Sequence, residues 1–321
     1  MNNSTNLRRM IETALLSAIA IVIILLSSVP FLAFFFVVAA VPITVLTARQ
    51  GIYAGITGSI VTGILLLMMF DPITAFSNVV MFGFSGVAAG FMFRKKWNAS
   101  RTILASALFF SLGLSIILFG YTYLGGVDVF DSISKSLDQA STMIKERSID
   151  MKLPQEDIKI QMDMVKVIND TIAKTKPAIV ISYGFLIATL TFFISRPILK
   201  RSGTEVSDMV KFKDFKLPSS ILPGILLMVG LTFLTDYIGY IDKDIIFINF
   251  VVLFNYIFAF QGASTLAFLT VERGGNVEKR SVLVIFATIL FVLFFGLQVL
   301  SILGLMDATI DIRKLYKNRK V

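Results

Sequence analysis

Stretches of about twenty consecutive apolar residues recur along the chain, each the length that carries a helix across a bilayer, and nothing else constrains the fold as strongly. In hydrocarbon every backbone N–H and C=O must find its partner inside the protein, which leaves helices or a closed barrel. The runs are continuous and do not alternate, which selects helices over a membrane barrel. The chain is 56% hydrophobic, against about 45–50% for a soluble domain. The expectation is therefore an all-α, polytopic helical membrane protein.

Nine spans are expected, over residues 11–28, 30–48, 51–70, 73–93, 101–124, 176–199, 219–240, 245–271 and 281–305. Pro30 and Gly51 mark tight connections, and Pro72 makes Asp71 a helix end. Lys and Arg in short loops set orientation. Arg8 and Arg9, then Arg49, then four basic residues in "RKKWNASR" fall on alternate connections, while "SSVP" and Asp71-Pro72 between them carry none. This pattern predicts a multi-pass protein of the cell membrane with a cytoplasmic N-terminus. The apolar run after Arg9 has no convincing cleavage site, so it reads as a retained span, not a signal peptide.

Four regions follow: five spans in 1–124, a polar insertion in 125–175, further spans in 176–306, and a basic tail in 307–321. The insertion falls outside the cell by alternation. Val129, Ile133, Leu137 and Ile144 form one helical stripe, and Ile158, Met162, Val165 and Ile172 a second. Two amphipathic helices are expected, either packed on each other or on the membrane surface, or forming a lid over a substrate entrance. The tail poses a conflict. Nine crossings leave it outside, yet "DIRKLYKNRKV" carries five basic residues. Either it lies outside, or a late span is broken or half-inserted, with Gln261-Gly262 a plausible break; eight spans are the alternative.

The chain holds no His and no Cys, which removes thiol catalysis, His-based zinc sites and His proton relays. It also lacks a phosphate-binding GxxxxGK[ST] loop, HExxH and GxSxG. The reading is a non-enzyme with no catalytic residue, metal or cofactor. The net charge of +9 lies beside spans, so it predicts contact with membrane lipids and not nucleic acid. Candidates for ligand binding are polar residues in or at the ends of spans: Ser77, Asn78, Tyr121, Tyr183 and Gln261. Gly55, Gly58, Gly86 and Gly90 are expected to let helices pack closely. In "TALLSAIA", Ala14, Ser17 and Ala18 form a small-residue strip, facing either another helix of this chain or a second protein.

The helix "RRMIETALLSAIAIVI", the loop "FKDFKLPSS" (Phe212 to Ser220), the pair Gln261-Gly262 and the ending "LGLMDATIDIRK" (Leu303 to Lys314) resemble the YybS-like family, multi-spanning membrane proteins of Gram-positive bacteria with a domain of unknown function. That resemblance implies a scaffold or regulator beside a membrane-anchored cyclic-dinucleotide phosphodiesterase, whose gene often neighbours the family's. The first six spans more distantly resemble the S-components of ECF vitamin transporters. Those are six-helix units whose first helix packs an AxxxA strip on a coupling subunit driven by ATPases. Ala14 and Ala18 match that strip residue for residue. This implies an S-component-like six-helix unit with extra C-terminal helices, and a role in small-molecule binding or transport. The polar insertion and the extra spans depart from the S-component pattern.

Overall fold

The computed structural model describes residues 2–206, 212–217, 221–238, 242–272 and 296–318, and among these every regular element is helical. They are α1 (Asn2–Ser27), a 3-10 helix (Pro30–Val38), α2 (Val41–Gln50), α3 (Ile52–Leu66), α4 (Pro72–Asn78), a π turn (Val79–Gly83), α5 (Phe84–Arg94) and α6 (Ala99–Tyr123). Then come α7 (Val129–Asp150), α8 (Gln155–Lys174), α9 (Lys176–Arg201), a short 3-10 turn (Phe212–Asp214), α10 (Ile221–Ile238) and α11 (Lys243–Glu272). Last are α12 (Gly296–Ile310) and α13 (Ile312–Asn318).

Among the described residues, six stretches are long and apolar enough to cross a membrane: Asn6–Ser27, Pro30–Gln50, Pro72–Arg94, Ala99–Tyr123, Lys176–Arg201 and Lys243–Val271. Three more apolar helices are shorter, Ile52–Leu66, Ile221–Gly230 and Gly296–Ile310. Each expected span thus carries an apolar helix, although the ninth is described only from Gly296 onward and its first part, 281–295, lies outside the described residues.

The interiors of the spans differ from uniform helices. Pro42 has no N–H to offer the carbonyl four residues back, and its ring clashes there. The second span is accordingly a nine-residue 3-10 helix followed by α2, with Pro42 in the first turn of α2. The third ends at Leu66, short of the expected residue 70. At about 1.5 Å per residue its 15 residues reach about 22 Å, less than the roughly 30 Å of hydrocarbon. The fourth is interrupted by the π turn at Val79–Gly83. Local chemistry sets the starts. The Asp71 carboxylate accepts from the N–H groups of Ile73 and Thr74, with Pro72 in the first turn. Asn98 caps α6 and Asp128 caps α7 in the same way. This is the usual satisfaction of orphan N–H groups at a helix start. Gly51 turns α2 into α3 at φ 105°, a conformation that L side chains resist.

The chain divides into two compact units, one of residues 1–172 and 179–209, the other of 173–178 and 210–321. In the first, α5 packs against α2 at contact distance. A Cβ on Gly86 would lie 2.9 Å from the Ala40 carbonyl oxygen, and one on Gly90 2.5 Å from that of Thr44. Gly55 faces Thr47, and Gly58 faces Leu46 and Ser17. Lipid tails are as apolar as Leu, so such close packing and the hydrogen bonds it permits hold the bundle together. Phe93 stacks on Phe192 at 5.0 Å within an aliphatic cluster that includes Val41, Val45 and Leu199. The insertion is a pair of amphipathic helices, α7 and α8, joined by side-chain contacts. Asn169 donates to Asp138 at 2.8 Å and Ser148 to Gln161 at 3.3 Å.

In the second unit Asn249 of α11 holds the junction of α8 and α9. Its carbonyl oxygen accepts from the Ala178 N–H at 2.9 Å, and its amide donates to the Lys174 carbonyl at 2.7 Å. α11 runs unbroken through Gln261-Gly262, so the break entertained there does not exist.

A buried ionic cluster between a loop, α11 and the C-terminal helix

The second unit contains a buried polar cluster, and two glycines make it possible. A Cβ on Gly262 would lie 1.9 Å from the Leu300 carbonyl oxygen, and one on Gly304 1.9 Å from that of Phe258. Without Cβ atoms α11 and α12 cross backbone to backbone. That crossing sets Gln261 beside Asp307, and both are fully buried. Gln261 uses both ends of its amide. Its NH₂ donates to Asp307 at 2.8 Å, and its oxygen accepts from the Leu217 N–H at 2.7 Å.

Asp307 also accepts from Nε of Arg313 at 3.1 Å, and the guanidinium is itself buried. A buried ion pair repays its desolvation only when its remaining donors are satisfied. Here they are. Nη1 of Arg313 donates to the Lys213 carbonyl at 2.7 Å, and Nη2 to the hydroxyls of Ser264 and Thr265 at 3.1 and 3.2 Å. The guanidinium also lies 5.8 Å from the centre of the Phe268 ring, within cation–π range.

The loop 212–217 is held from several sides. Ser264 donates to the carbonyls of Phe212 and Phe215. Both rings meet Phe260 edge-on, at 5.4 and 4.9 Å. Lys216 pairs with Asp311 at 2.6 Å. The hydrogen bond from Lys216 is the main reason the Asp311 carboxyl is held below its ordinary value of 3.8. Asp311, at φ 55°, forms the corner between α12 and α13. Every polar side chain of the cluster spends its bonds on another member, so its chemistry is to clamp three segments together. It presents no activated nucleophile.

Contacts advance together along α11 and the chain end. Gly304 meets Gly262, Arg313 meets Ser264 and Thr265, and Tyr316 meets Phe268 at 6.3 Å. The two segments run in the same direction, and the chain end lies on the side of the loop 212–217. The basic tail thus sits beside the basic loop, as its charge suggests. Arg313, a member of the basic tail, is 7% exposed.

The residues singled out in the sequence divide between the units. Gln261 is in the cluster, its amide hydrogen-bonded at both ends. Asn78 donates to the Thr74 carbonyl at 2.8 Å and lines a small cavity with Phe82 and Thr62; Ser77 beside it is half-buried. Tyr183 meets Phe110 at 5.7 Å and Phe36 at 6.4 Å, and Phe36 in turn meets Phe82. Tyr183 and Asn78 thus approach Phe82 from two sides. Tyr121 stands apart at the end of α6, half-buried, its carbonyl accepting from Val127. On α1, Ala14 and Ala18 are exposed, whereas Ser17 is fully buried and donates to the Gly58 carbonyl at 3.2 Å. The strip is split: the alanines face outward and the serine faces α3. Sequence reasoning passed over Asp307, Arg313, Ser264 and Thr265. The signal was present, since three quoted motifs, "FKDFKLPSS", "QG" and "LGLMDATIDIRK", are the segments that the cluster joins.

Long apolar helices, glycine-mediated crossings and an internally satisfied polar cluster define a multi-pass helical membrane protein. More particularly, residues 18–308 match the family described as "Predicted membrane protein (DUF2232)", and the chain belongs to that family. It is similar to "Uncharacterized protein YybS" of Bacillus subtilis (strain 168), 23% identical over 97% of this chain and 99% of that one. No solved structure matches.

Proposed function

We propose that this chain is a membrane-embedded partner subunit, transport-associated in the manner of an S-component, that docks through the outward face of α1. The observation that carries the reading is the split strip. Ala14 and Ala18, one turn apart, are exposed, while Ser17 anchors the opposite face to α3. Small outward residues let a second helix approach closely in lipid. In this reading the N-terminus, the loop 212–217 and the tail beside it are cytoplasmic, and ATPases on a separate coupling subunit supply the energy.

A second reading, a scaffold or regulator of a membrane-anchored enzyme such as a cyclic-dinucleotide phosphodiesterase, draws support from the cavity beside Asn78. Ligand pockets ordinarily enclose about 300–1,000 Å³, and this cavity is about 10 Å³. Affinity purification from native membranes separates the two. Co-purification of a coupling subunit with ATPases supports the first, and of a phosphodiesterase the second. Ala14→Leu with Ala18→Leu should release the partner at unchanged thermal stability. Full retention of every partner by the double variant would refute docking through α1.

A further inference from the structure

We propose that the cavity behind α1 is a binding site for one water molecule, held by Thr62 and Asn78 against the π turn of the fourth span. The walls come from α1 (Ala20, Ile24), α3 (Ser59, Thr62), Asn78 and the π turn (Phe82, Gly83). Its volume of about 10 Å³ is at the threshold for a single water, which also needs two to four polar partners.

Thr62 shares a buried hydroxyl without a partner among the described residues with Ser182, Thr191 and Ser195 of α9, but of the four only Thr62 lines this cavity. Thr44, Thr47, Ser59, Ser85 and Ser106 each donate to the carbonyl four residues earlier. For Thr62 that carbonyl belongs to Gly58, and it already accepts from Ser17 of α1. The Thr62 hydroxyl is buried, 4% exposed, with no hydrogen-bond partner among the described residues. It lines the cavity. A buried hydroxyl without a partner is costly, and a water in contact with it removes that cost. Asn78 lines the same cavity and uses one amide hydrogen on Thr74, leaving further donor and acceptor capacity. Ser59 adds an acceptor lone pair. The ligand class is a neutral, water-sized donor and acceptor. The π turn is part of the site, since the extra residue per turn displaces Phe82 and Gly83 from a regular helical ladder. Such turns recur at functional positions.

Radiolytic footprinting of the detergent-solubilised full chain in ¹⁸O-labelled water tests this. A bound water generates hydroxyl radical in place, so the ring of Phe82, 2% exposed, should gain label. Phe93 and Phe110, equally buried and off the cavity wall, serve as controls and should not. Thr62→Val should lower Phe82 labelling several-fold, and Thr62→Ser should restore it. Labelling of Phe82 no greater than that of Phe93 and Phe110 overturns the proposal. Thermal unfolding is the second readout. If water satisfies the hydroxyl, Thr62→Val lowers the melting temperature. If the cavity is dry, the variant removes an unpaired group and raises it, which also overturns the proposal. A melting temperature that rises in sodium chloride but not in potassium chloride would assign the site to a cation and refute the water.

Discussion

Replacing Asp307 with Ala strands a buried guanidinium and is the sharpest perturbation of the C-terminal cluster. Arg313 would keep the Lys213 carbonyl and the two hydroxyls of Ser264 and Thr265 but lose its only carboxylate in the cluster. The Gln261 NH₂ would lose its acceptor as well. Breaking a buried pair from one side costs about 3–5 kcal/mol. The surviving neutral acceptors put Asp307→Ala near the lower end, about 3 kcal/mol, or roughly two orders of magnitude in the unfolding equilibrium. Arg313→Met should cost a similar amount, because Asp307 would then stay buried and charged with only the Gln261 amide and the long backbone N–H bond from position 313, 3.4 Å, to satisfy it. The double variant Asp307→Leu, Arg313→Met removes both charges at similar volume and should recover much of the loss. Unfolding in detergent, followed by helical circular dichroism, gives the three values, and limited proteolysis reports release of the tail. A coupling of about 2 kcal/mol is expected for groups in direct contact. Strict additivity, or a cost for Asp307→Ala below about 0.5 kcal/mol, would refute the clamp.

Other consequences can be measured on the same material. Gly262→Ala and Gly304→Ala drive a methyl into a backbone carbonyl and should each cost about 2 kcal/mol or more. Gly224→Ala and Gly230→Ala in α10, where a Cβ meets nothing within 4 Å, should instead stabilise by about 0.5–1 kcal/mol; equal effects at the two pairs would sink the crossing argument. The Lys216–Asp311 contact has a defined pH dependence. The carboxyl is depressed in the folded state, so its contribution is full above the ordinary value of 3.8 and fades as the pH falls through the lowered one. Tail proteolysis should therefore accelerate only in that acid range, and Lys216→Met should abolish the pH step. The chain has no Cys, so single cysteines at Asp214 and Lys314 can be probed with a membrane-impermeant thiol reagent. Both should react from the same side, and opposite sidedness would contradict the contact between loop and tail.

The spans were legible because hydropathy is a local property, and Asp71, Asn98 and Asp128 are caps whose chemistry acts within three residues. Pro42 is equally visible in the sequence, inside the expected span 30–48. The change from 3-10 helix to α2 beside it follows from its missing N–H, a local property. The Gly86 and Gly90 pair was legible as a packing surface, but not as the seat of α2. In "TALLSAIA" the sequence could not say which side of α1 the bundle covers. Ser17 and Ala18 are adjacent, and only the position of Gly58 decides that one faces in and the other out.

By itself the sequence determined the class of protein, since unpaired backbone in hydrocarbon permits little else, together with the placement of the apolar helices and the absence of thiol and imidazole chemistry. Tertiary structure alone decided what the polar residues do. Gln261 and Asp307 are 46 positions apart, and no periodicity links them. They meet because two glycines let α11 and α12 touch, and that contact makes an arginine of the basic tail the buried partner of a carboxylate. Hydropathy acts residue by residue along the chain. Hydrogen-bond satisfaction is a property of pairs, and pairs exist only once the helices have packed.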